Sequence, residues 1–263
     1  MKENFRDKWA LVLGASSGFG AAACRALAKA GCHIAGVHLD RKSTLPEVEK
    51  LIKDLQNFDV QVEFFNMNAA DDLKRKECLD QLEGKVKGKL HILMHSLAFG
   101  TLKPFIGENL ESSIQKSQMD MTLDVMANSL VYWSQDLHYR GFFAKGSRIY
   151  AMTSAGSSRV WKSYGAVSAA KSALESHCRQ LALEFAPSQV CVNAILAGVT
   201  DTPALRKIPG NDDMIATATK RNPMGRLTLP EDVANAIVAL SLPHCNFITG
   251  NTIRVDGGEN IVE

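Results

Sequence analysis

Three glycines, Gly14, Gly18 and Gly20, form a G-x-x-x-G-x-G pattern directly after an apolar run and before an alanine-rich stretch. Glycine lets the backbone approach a pyrophosphate closely, and the start of the following helix offers free N–H groups and a partial positive charge. Ser16 and Ser17 add hydroxyl groups that could reach phosphate or ribose oxygens. Because the pattern lies within a strand–turn–helix–strand unit of about 30 residues, it predicts a dinucleotide site rather than a purely structural turn.

The end of the second expected strand bears on the choice between the two nicotinamide dinucleotides. An acid seven residues after Gly31 would accept a hydrogen bond from the ribose 2′-hydroxyl, but His38 stands there. Arg41 and Lys42 are placed to pair with a 2′-phosphate, Arg41 through its planar guanidinium. Asp40 could serve as the acid if the strand ended slightly later, and the charged residues could also be a solvated loop tip. We therefore expect NADPH, with NADH as the less favoured alternative.

Short apolar runs alternate with helical patterns along nearly the whole chain. Strands are expected at residues 9–13, 33–39, 60–65, 91–95, 147–153, 190–196 and 252–255, and helices at 21–29, 46–57, 71–87, 119–138, 164–185 and 230–242. This alternation predicts one α/β domain over residues 1–263: a Rossmann fold with a doubly wound, parallel, seven-stranded sheet and helices on both faces. Residues 200–223 carry three prolines and interrupt the alternation. They predict a substrate lid, with a plain surface insertion as the alternative.

The composition excludes several classes of protein. The chain has 263 residues, of which 46% are hydrophobic and 22% charged, and a formal net charge of +2. Such a near-neutral balance argues against nucleic acid as the main partner. No apolar run approaches the roughly 18 residues of a membrane span, and no secretory leader is evident. The six cysteines are scattered without metal-ligand spacing. We therefore expect a cytoplasmic protein with reduced thiols and no metal.

Five motifs in a fixed order carry a family resemblance. They are GASSGFG at 14–20, HSLAFG at 95–100, the set Ser154, Tyr164 and Lys171, VNAILAGVTDT at 192–202, and ITGNTIRVDGG at 248–258. Together they resemble the short-chain dehydrogenase/reductase superfamily over nearly the whole chain. The resemblance implies a Rossmann fold, a nicotinamide cofactor and, commonly, a homotetramer.

The spacing of the tyrosine and the lysine narrows the resemblance. Most members of the superfamily carry Y-x-x-x-K, but here Val167 stands four residues before Lys171, and Tyr164 gives Y-x6-K. Seven helical steps return to within about 20° of the starting direction, so both side chains share one face. The rise is about 10.5 Å instead of about 6 Å, which moves the phenol nearly one turn toward the helix N-terminus. This spacing is similar to that of enoyl-acyl-carrier-protein reductases, which reduce a C=C bond rather than a carbonyl.

Further residues agree with this subgroup. The segment 95–98 resembles the HSIA of enoyl reductases, and 196–198 resembles their SAG. Met126 stands where ketone reductases usually carry an active-site asparagine. Ser154, however, lies thirteen residues before Val167, where ketone reductases keep their catalytic serine. The combination resembles the NADPH-dependent, ketoreductase-like subgroup of enoyl reductases.

The resemblance implies that Tyr164, Lys171 and Ser154 are the catalytic residues. Tyr164 would hydrogen-bond the thioester oxygen, where negative charge develops, and Lys171 would hold the nicotinamide ribose and favour the acidity of the phenol. The implied reaction reduces the C=C bond of a trans-2-enoyl thioester, on acyl-carrier protein or coenzyme A, in fatty acid synthesis. A 3-oxoacyl or other ketone reductase is one alternative, favoured by Ser154. A catalytically inactive cofactor-binding protein is the other, opposed by the intact Tyr164 and Lys171.

The resemblance also implies cofactor contacts from segments after the glycine turn. Asn68 would contact the adenine, residues 96–98 would line the adenosine-ribose side, and Thr200 and Thr202 would hold the nicotinamide end. The full set of expected cofactor-binding residues is Gly14, Ser16, Ser17, Gly18, Phe19, Gly20, Arg41, Lys42, Asn68, Ser96, Leu97, Ala98, Lys171, Gly198, Thr200 and Thr202.

Two further groups bear on the substrate. Apolar residues that could line an acyl channel, or could equally be ordinary core or surface filler, are Phe99, Trp161, Leu205 and Met214. An acidic carrier protein would favour a basic rim, for which the candidates are Arg206, Lys207, Lys220 and Arg221.

Overall fold

Seven strands form one parallel sheet in the computed structural model, which describes residues 2–262. The strands are β1 Trp9–Leu13, β2 His33–His38, β3 Val62–Asn66, β4 Leu90–His95, β5 Phe143–Ser154, β6 Cys191–Ala197 and β7 Thr252–Val255. Their order across the sheet is β3-β2-β1-β4-β5-β6-β7, and every neighbouring pair is parallel. The expected doubly wound sheet is therefore confirmed.

Helices cover both faces of the sheet. They are α1 Lys2–Phe5, α2 Gly18–Lys29, α3 Leu45–Gln56, α4 Asp72–Val86, α5 Lys116–Leu123, α6 Ser129–Tyr139, α7 Gly165–Phe185, α8 Asn211–Arg221 and α9 Pro230–Leu240. Successive β1 side chains enter opposite cores, because side chains alternate along a strand. Leu11 packs with Trp133 of α6 in one buried cluster, whereas Val12 packs with Leu27 of α2 and Ile237 of α9 in the other.

The sheet changes its direction of growth between β1 and β4. In register, Leu13 of β1 lies opposite Val37 of β2 and His95 of β4. The chain leaves these strands in different directions, so a crevice opens beyond their carboxyl ends. The peptide N–H groups of Gly14 and Ser96 donate back into the sheet, to Val37 O and Leu13 O at 2.8 Å each. These bonds fix the two loops that border the crevice.

Two differences from the sequence expectation lie close to the cleft. The expected helix at 119–138 begins earlier, and a π-helical segment at Asp124–Asn128 separates α5 from α6. The expected lid at 200–223 contains a full helix, α8, where only an irregular segment was expected. Gly210 has a φ of +76° and precedes the first residue of α8. The prolines that interrupt the strand–helix alternation thus flank a helix and do not prevent it.

Within residues 2–262, no helix combines the length and the apolar composition required to cross a membrane. The same residues contain no group of three or more His, Cys, Asp or Glu side chains suited to a metal ion.

Candidate active site

The glycine turn closely follows the carboxyl end of β1 and leaves no room for a side chain at Gly14 or at Gly20. Gly14 has a φ of +87°, and a Cβ there would lie 2.4 Å from the carbonyl oxygen of Ser96. A Cβ on Gly20 would lie 2.0 Å from the carbonyl oxygen of Gly14. Ser17 precedes α2 with an extended backbone, and its hydroxyl makes no capping hydrogen bond. The turn therefore offers close backbone approach and open helix N–H groups, which fits the pyrophosphate of a dinucleotide.

A cleft of about 1290 Å³ runs along the carboxyl ends of the strands. It brings together most of the site residues expected from the sequence, namely Gly14, Ser16, Ser17, Gly18, Phe19, Arg41, Asn68, Ser96, Leu97, Ala98, Ser154, Tyr164, Lys171, Gly198, Thr200 and Thr202. Two expected residues do not line it. Gly20 is buried beneath the turn, where its missing side chain permits the approach of Gly14. Lys42 is exposed and lies outside the cleft wall.

Asp40 lies in the cleft wall next to Arg41, rather than at a solvated loop tip. Its carboxylate accepts a hydrogen bond from the Thr44 hydroxyl at 2.7 Å and pairs with His38 Nδ1 at 2.9 Å. Burial alone would raise the pKa of Asp40, but hydrogen bonds from Thr44, Ser16 and His38 outweigh burial and lower that pKa. Asp40 is therefore ionised at neutral pH, beside the expected position of the adenosine ribose.

Tyr164 is the residue immediately before α7, rather than the first residue within it. Ser163 precedes it in the left-handed region with a φ of +62°, and Ser168 N–H donates to the Tyr164 carbonyl at 2.8 Å. Burial raises the pKa of the Tyr164 phenol, and a hydrogen bond with Ser154 opposes that rise. The Tyr164 phenol thus keeps its proton at neutral pH, and Ser154, which the sequence also singled out, lies with the Tyr164 ring around Gly156.

Lys171 is buried in α7, and its Nζ donates to the Met152 carbonyl at 2.7 Å. Burial lowers the pKa of Lys171 to about 8, whereas the Coulombic attraction of Glu175 favours the charged form. Glu175 in turn accepts a hydrogen bond from the Thr153 hydroxyl at 2.7 Å. The ammonium of Lys171 is therefore fixed in direction and poised to titrate slightly above neutral pH.

Gly156 is a site residue that the sequence analysis missed. A Cβ there would lie 2.5 Å from Cε1 of the Tyr164 ring, so only glycine allows the ring to rest on this turn. The Gly156 N–H donates to the Ser154 hydroxyl at 3.3 Å, and Ser168 donates to the Gly156 carbonyl. A glycine within a serine-rich run was the only available signal, and such runs are common in loops.

The position where most of the superfamily carries its tyrosine is filled by apolar atoms. Val167 and Met126 are 5% and 2% exposed, which leaves them almost no contact with solvent. A Cβ on Gly100 would lie 2.8 Å from Met126 Sδ and 3.0 Å from Val167 Cγ2, so the chain at Gly100 packs directly against them. Both side chains also border the cleft, so it presents apolar atoms where most of the superfamily presents its phenol.

All four residues suggested for an acyl channel, Phe99, Trp161, Leu205 and Met214, line the cleft. The indole N–H of Trp161 donates to the Pro209 carbonyl at 3.0 Å, which joins the loop before Tyr164 to the segment that leads into α8. This end of the cleft therefore has an apolar wall contributed by several segments of the chain.

The basic rim is only partly formed as expected. Lys207 and Arg221 line the cleft, together with Arg159, which the sequence analysis did not identify. Arg206 is instead paired with Asp201 and Asp212, and Lys220 lies outside the cleft wall.

Known proteins share this architecture over almost the full chain. A family model described as Enoyl-(Acyl carrier protein) reductase matches residues 14–260. An L-xylulose reductase of Mesocricetus auratus is 28% identical over 95% of this chain and 95% of its own. A cis-4-hydroxycyclohexanecarboxylate dehydrogenase of Sinomonas cyclohexanicum is 28% identical over 100% of both chains.

Solved structures also resemble this chain over almost its full length. An enoyl-[acyl-carrier-protein] reductase (NADH) from Aquifex aeolicus VF5 superimposes with a TM-score of 0.85 at 25% identity, covering 98% of each chain. With the glycine turn and the cleft already described, these likenesses leave no ambiguity about the family. The chain is an NAD(P)-dependent oxidoreductase that belongs to the family described as enoyl-(acyl carrier protein) reductase, within the short-chain dehydrogenase/reductase superfamily.

Proposed function

We propose that the protein reduces the C=C bond of a trans-2-enoyl thioester with NADPH. The observation that carries this proposal is the position of the phenol: Tyr164 precedes α7, while Val167 and Met126 fill the usual place of the tyrosine and its neighbour. In carbonyl reduction, the atom that is reduced is bonded directly to the oxygen that needs a hydrogen-bond donor. In enoyl reduction two further carbons separate them. A donor displaced by nearly one helical turn suits the second geometry.

The side chains have distinct tasks in this reaction. When bound, the dihydronicotinamide supplies the hydride. Tyr164 donates a hydrogen bond to the thioester oxygen, on which negative charge develops, and its raised pKa keeps the proton available for that bond. Lys171 holds the nicotinamide ribose and contributes positive charge near the phenol. The α-carbon takes its proton from Tyr164 or from solvent.

The proposal of NADPH depends on Arg41 and on the state of Asp40. Both Asp40 oxygens already accept hydrogen bonds within the protein, from Thr44 and His38. Arg41 is exposed in the cleft wall, where its guanidinium can pair with a 2′-phosphate. The ionised Asp40 is the opposing feature, because it repels a phosphate. Arg41→Ala should therefore weaken NADPH binding by about tenfold and NADH binding little. Lys50→Ala, at an exposed lysine of α3, is the matched control.

Ketone reduction is the second candidate, supported by the position of Ser154, whose hydroxyl lies with the Tyr164 ring around Gly156. The relatives named for xylulose and for a hydroxycyclohexane substrate act on alcohols or ketones by their names. The two candidates differ in the acceptor: crotonyl-CoA carries a conjugated C=C bond, and acetoacetyl-CoA carries a ketone.

A paired assay tests the proposal. NADPH and NADH oxidation would be followed with crotonyl-CoA and with acetoacetyl-CoA, and we expect crotonyl-CoA with NADPH to give the highest kcat/KM. A higher kcat/KM with acetoacetyl-CoA would replace the proposal with ketone reduction. Tight NADPH binding without turnover of either thioester would contradict the proposal and support the alternative of a catalytically inactive cofactor-binding protein.

For the substrate's carrier, we propose an acyl-carrier protein of cytoplasmic fatty acid synthesis, bound at the cleft-lining Lys207. Lys207→Ala should raise the KM for an enoyl-carrier-protein substrate more than the KM for the coenzyme A ester, and Lys220→Ala is the control outside the wall. An unchanged KM for the carrier-protein substrate would exclude Lys207 from docking.

We also propose that the protein forms a homotetramer, which light scattering after gel filtration would test.

A further inference from the structure

Glu259 is a buried carboxylate at the substrate end of the cleft. Its side chain is only 2% exposed, yet it borders the cleft. A buried charge is costly unless it is paired and hydrogen-bonded. Glu259 has both kinds of partner: its Oε2 accepts from the Val199 N–H at 2.9 Å, and its Oε1 accepts from an Arg221 terminal nitrogen at 3.3 Å. The carboxylate therefore joins two other segments of the protein.

The two partners of Glu259 belong to different segments of the cleft. Val199 lies in the loop after β6, between Gly198 and Thr200, which we expect to border the nicotinamide. Arg221 is the last residue of α8, the helix within the expected lid. A Cβ on Gly198 would lie 2.8 Å from Glu259 Oε2, so the absence of a side chain there lets the carboxylate reach the loop.

The segment that carries Glu259 is itself fixed. The Asp256 carboxylate accepts hydrogen bonds from Gly258 N at 3.0 Å, from Asn260 N at 3.1 Å and from Asn260 Nδ2 at 2.9 Å. Asn222, directly after α8, donates to the Asp256 carbonyl at 2.9 Å. These hydrogen bonds stabilise the turn at residues 256–261, called here the C-terminal turn, and so fix the position of the Glu259 carboxylate.

The two bonds of Glu259 differ in strength. The Val199 N–H contact has ordinary hydrogen-bond length, whereas the Arg221 contact is long, and Arg221 Nε is buried without a partner among the described residues. The end of α8 therefore has two attachments to the C-terminal turn: the ordinary hydrogen bond from Asn222 to Asp256 and the longer, charge-dependent contact of Arg221 with Glu259. Loss of the Arg221 contact would loosen α8 without detaching it, while the Val199 bond would keep the nicotinamide loop in place.

We propose that Glu259 is a positioning residue that seats the nicotinamide loop through Val199 and restrains α8 through Arg221, thereby coupling cofactor binding to the position of the lid. The inference rests on the proposed function only for the choice of thioester substrate. Neither the glycine turn nor the tyrosine–lysine pair includes this residue. It adds the C-terminal turn to the site.

Two substitutions separate the two contacts. Glu259→Gln keeps an oxygen for the Val199 N–H but removes the charge that pairs with Arg221. We expect its NADPH Kd, measured by fluorescence titration of the free protein, to stay within about twofold of wild type. Amide hydrogen exchange in residues 211–221 should become faster, and the KM for crotonyl-CoA should rise about fivefold. Glu259→Ala removes both contacts, so its NADPH Kd should rise about tenfold and exchange should also quicken in residues 198–202.

Arg221→Gln should reproduce the effects of Glu259→Gln, and the double variant should be no worse than either single variant. Glu231→Gln, an exposed acid in α9, is the matched control and should change none of these readouts. The Gln variants keep the test decisive if Glu259→Ala does not fold.

The proposal fails if Glu259→Ala lowers only Tm and leaves NADPH Kd and exchange in both segments unchanged. It also fails if Glu259→Gln weakens NADPH binding as much as Glu259→Ala, or if the Arg221 and Glu259 effects simply add. The Kd and exchange measurements use no thioester. A protein that proved to reduce ketones would therefore still test the coupling, with acetoacetyl-CoA in the KM measurement.

Discussion

The two ends of the cleft are built in different ways. The cofactor end, residues 14–20 with the segments at 38–41 and 96–98, is shaped by backbone, by missing side chains and by short stretches at strand ends. The substrate end combines side chains from positions as far apart as Phe99, Trp161, Met214 and Glu259. A site made of backbone accepts one constant ligand, whereas a site made of side chains from distant segments can be altered without disturbing the sheet.

The charged groups also differ between the two ends. At the cofactor end, hydrogen bonds lower the pKa of Asp40 and hold it ionised. At the catalytic pair, hydrogen bonds and charges do not outweigh burial, which raises the pKa of Tyr164 and lowers that of Lys171. The cofactor end thus stabilises a fixed charge, while the catalytic pair lies in a setting that disfavours charge. For Lys171 this setting moves the pKa to about 8, close to neutral pH, whereas for Tyr164 it moves the pKa away from neutral pH and keeps the phenol protonated as a hydrogen-bond donor.

Tyr164→Phe should give the largest effect, on the rate of reduction and not on cofactor binding. Loss of the phenolic hydrogen bond should lower kcat/KM for crotonyl-CoA by about 10²- to 10⁴-fold. NADPH Kd should stay unchanged, because the cofactor end is separate. Steady-state kinetics and fluorescence titration measure the two quantities, and Tyr139→Phe, at an exposed tyrosine, is the control. An unchanged rate would remove Tyr164 from the mechanism.

Gly156→Ala should affect the substrate end by displacing Tyr164, without removing any catalytic group. The added Cβ must displace the Tyr164 ring, so kcat should fall on the order of tenfold to a hundredfold, with NADPH Kd unchanged. The measurement is again kcat together with Kd. A fall in NADPH affinity of equal size would show that the two ends are not independent.

Gly14→Ala should affect the cofactor end and weaken NADPH binding, in contrast to the two substitutions at the catalytic end. The new Cβ would lie 2.4 Å from the Ser96 carbonyl oxygen, and the alanine backbone would have to adopt a φ of +87°. We expect NADPH Kd to rise at least about tenfold and the free energy of unfolding to fall by about 1–3 kcal/mol. Titration and chemical denaturation measure these effects. Wild-type cofactor affinity would contradict the assignment of the turn to the pyrophosphate.

The pH profile tests the catalytic pair. Lys171 loses its charge as pH rises through about 8, so kcat/KM should fall about tenfold per pH unit above that value. The free energy of unfolding should change in the opposite direction. An unfolded lysine keeps its proton up to about 10.5, so between these two pKa values the folded state binds fewer protons and gains stability as pH rises. Rates across pH 6–10, and urea unfolding against Lys171→Met, measure both trends. A flat rate profile up to pH 10 would contradict the lowered pKa.

Gly84→Ala should have the smallest effect, and it calibrates the other glycine substitutions. Gly84 lies within α4, and a Cβ there would meet nothing within 4 Å. Alanine should raise the free energy of unfolding by about 0.5–1 kcal/mol, with activity unchanged. Thermal and urea unfolding measure the gain. A loss of stability here would weaken the interpretation of the Gly14 and Gly156 variants as steric effects.

Some parts of the site were predictable because their signals are local. The strand of residues 9–13, the turn of residues 14–20 and the start of α2 follow one another in the chain, and their composition indicates each element. The Tyr164 to Lys171 spacing was readable for the same reason. The expectation that Tyr164 lies within the helix was slightly wrong, because Ser163 takes a left-handed conformation that no composition rule indicated.

The sequence alone determined the order of strands and helices, the glycine turn and the tyrosine–lysine spacing, since each depends on residues close together in the chain. Only the tertiary structure decided that Asp40 lies in the cleft wall, that Gly156 supports the Tyr164 ring, and that Glu259 reaches Val199 and Arg221. These contacts join residues up to 60 positions apart. They exist because the parallel sheet brings the carboxyl ends of its strands to one edge, where distant loops and the C-terminal turn meet.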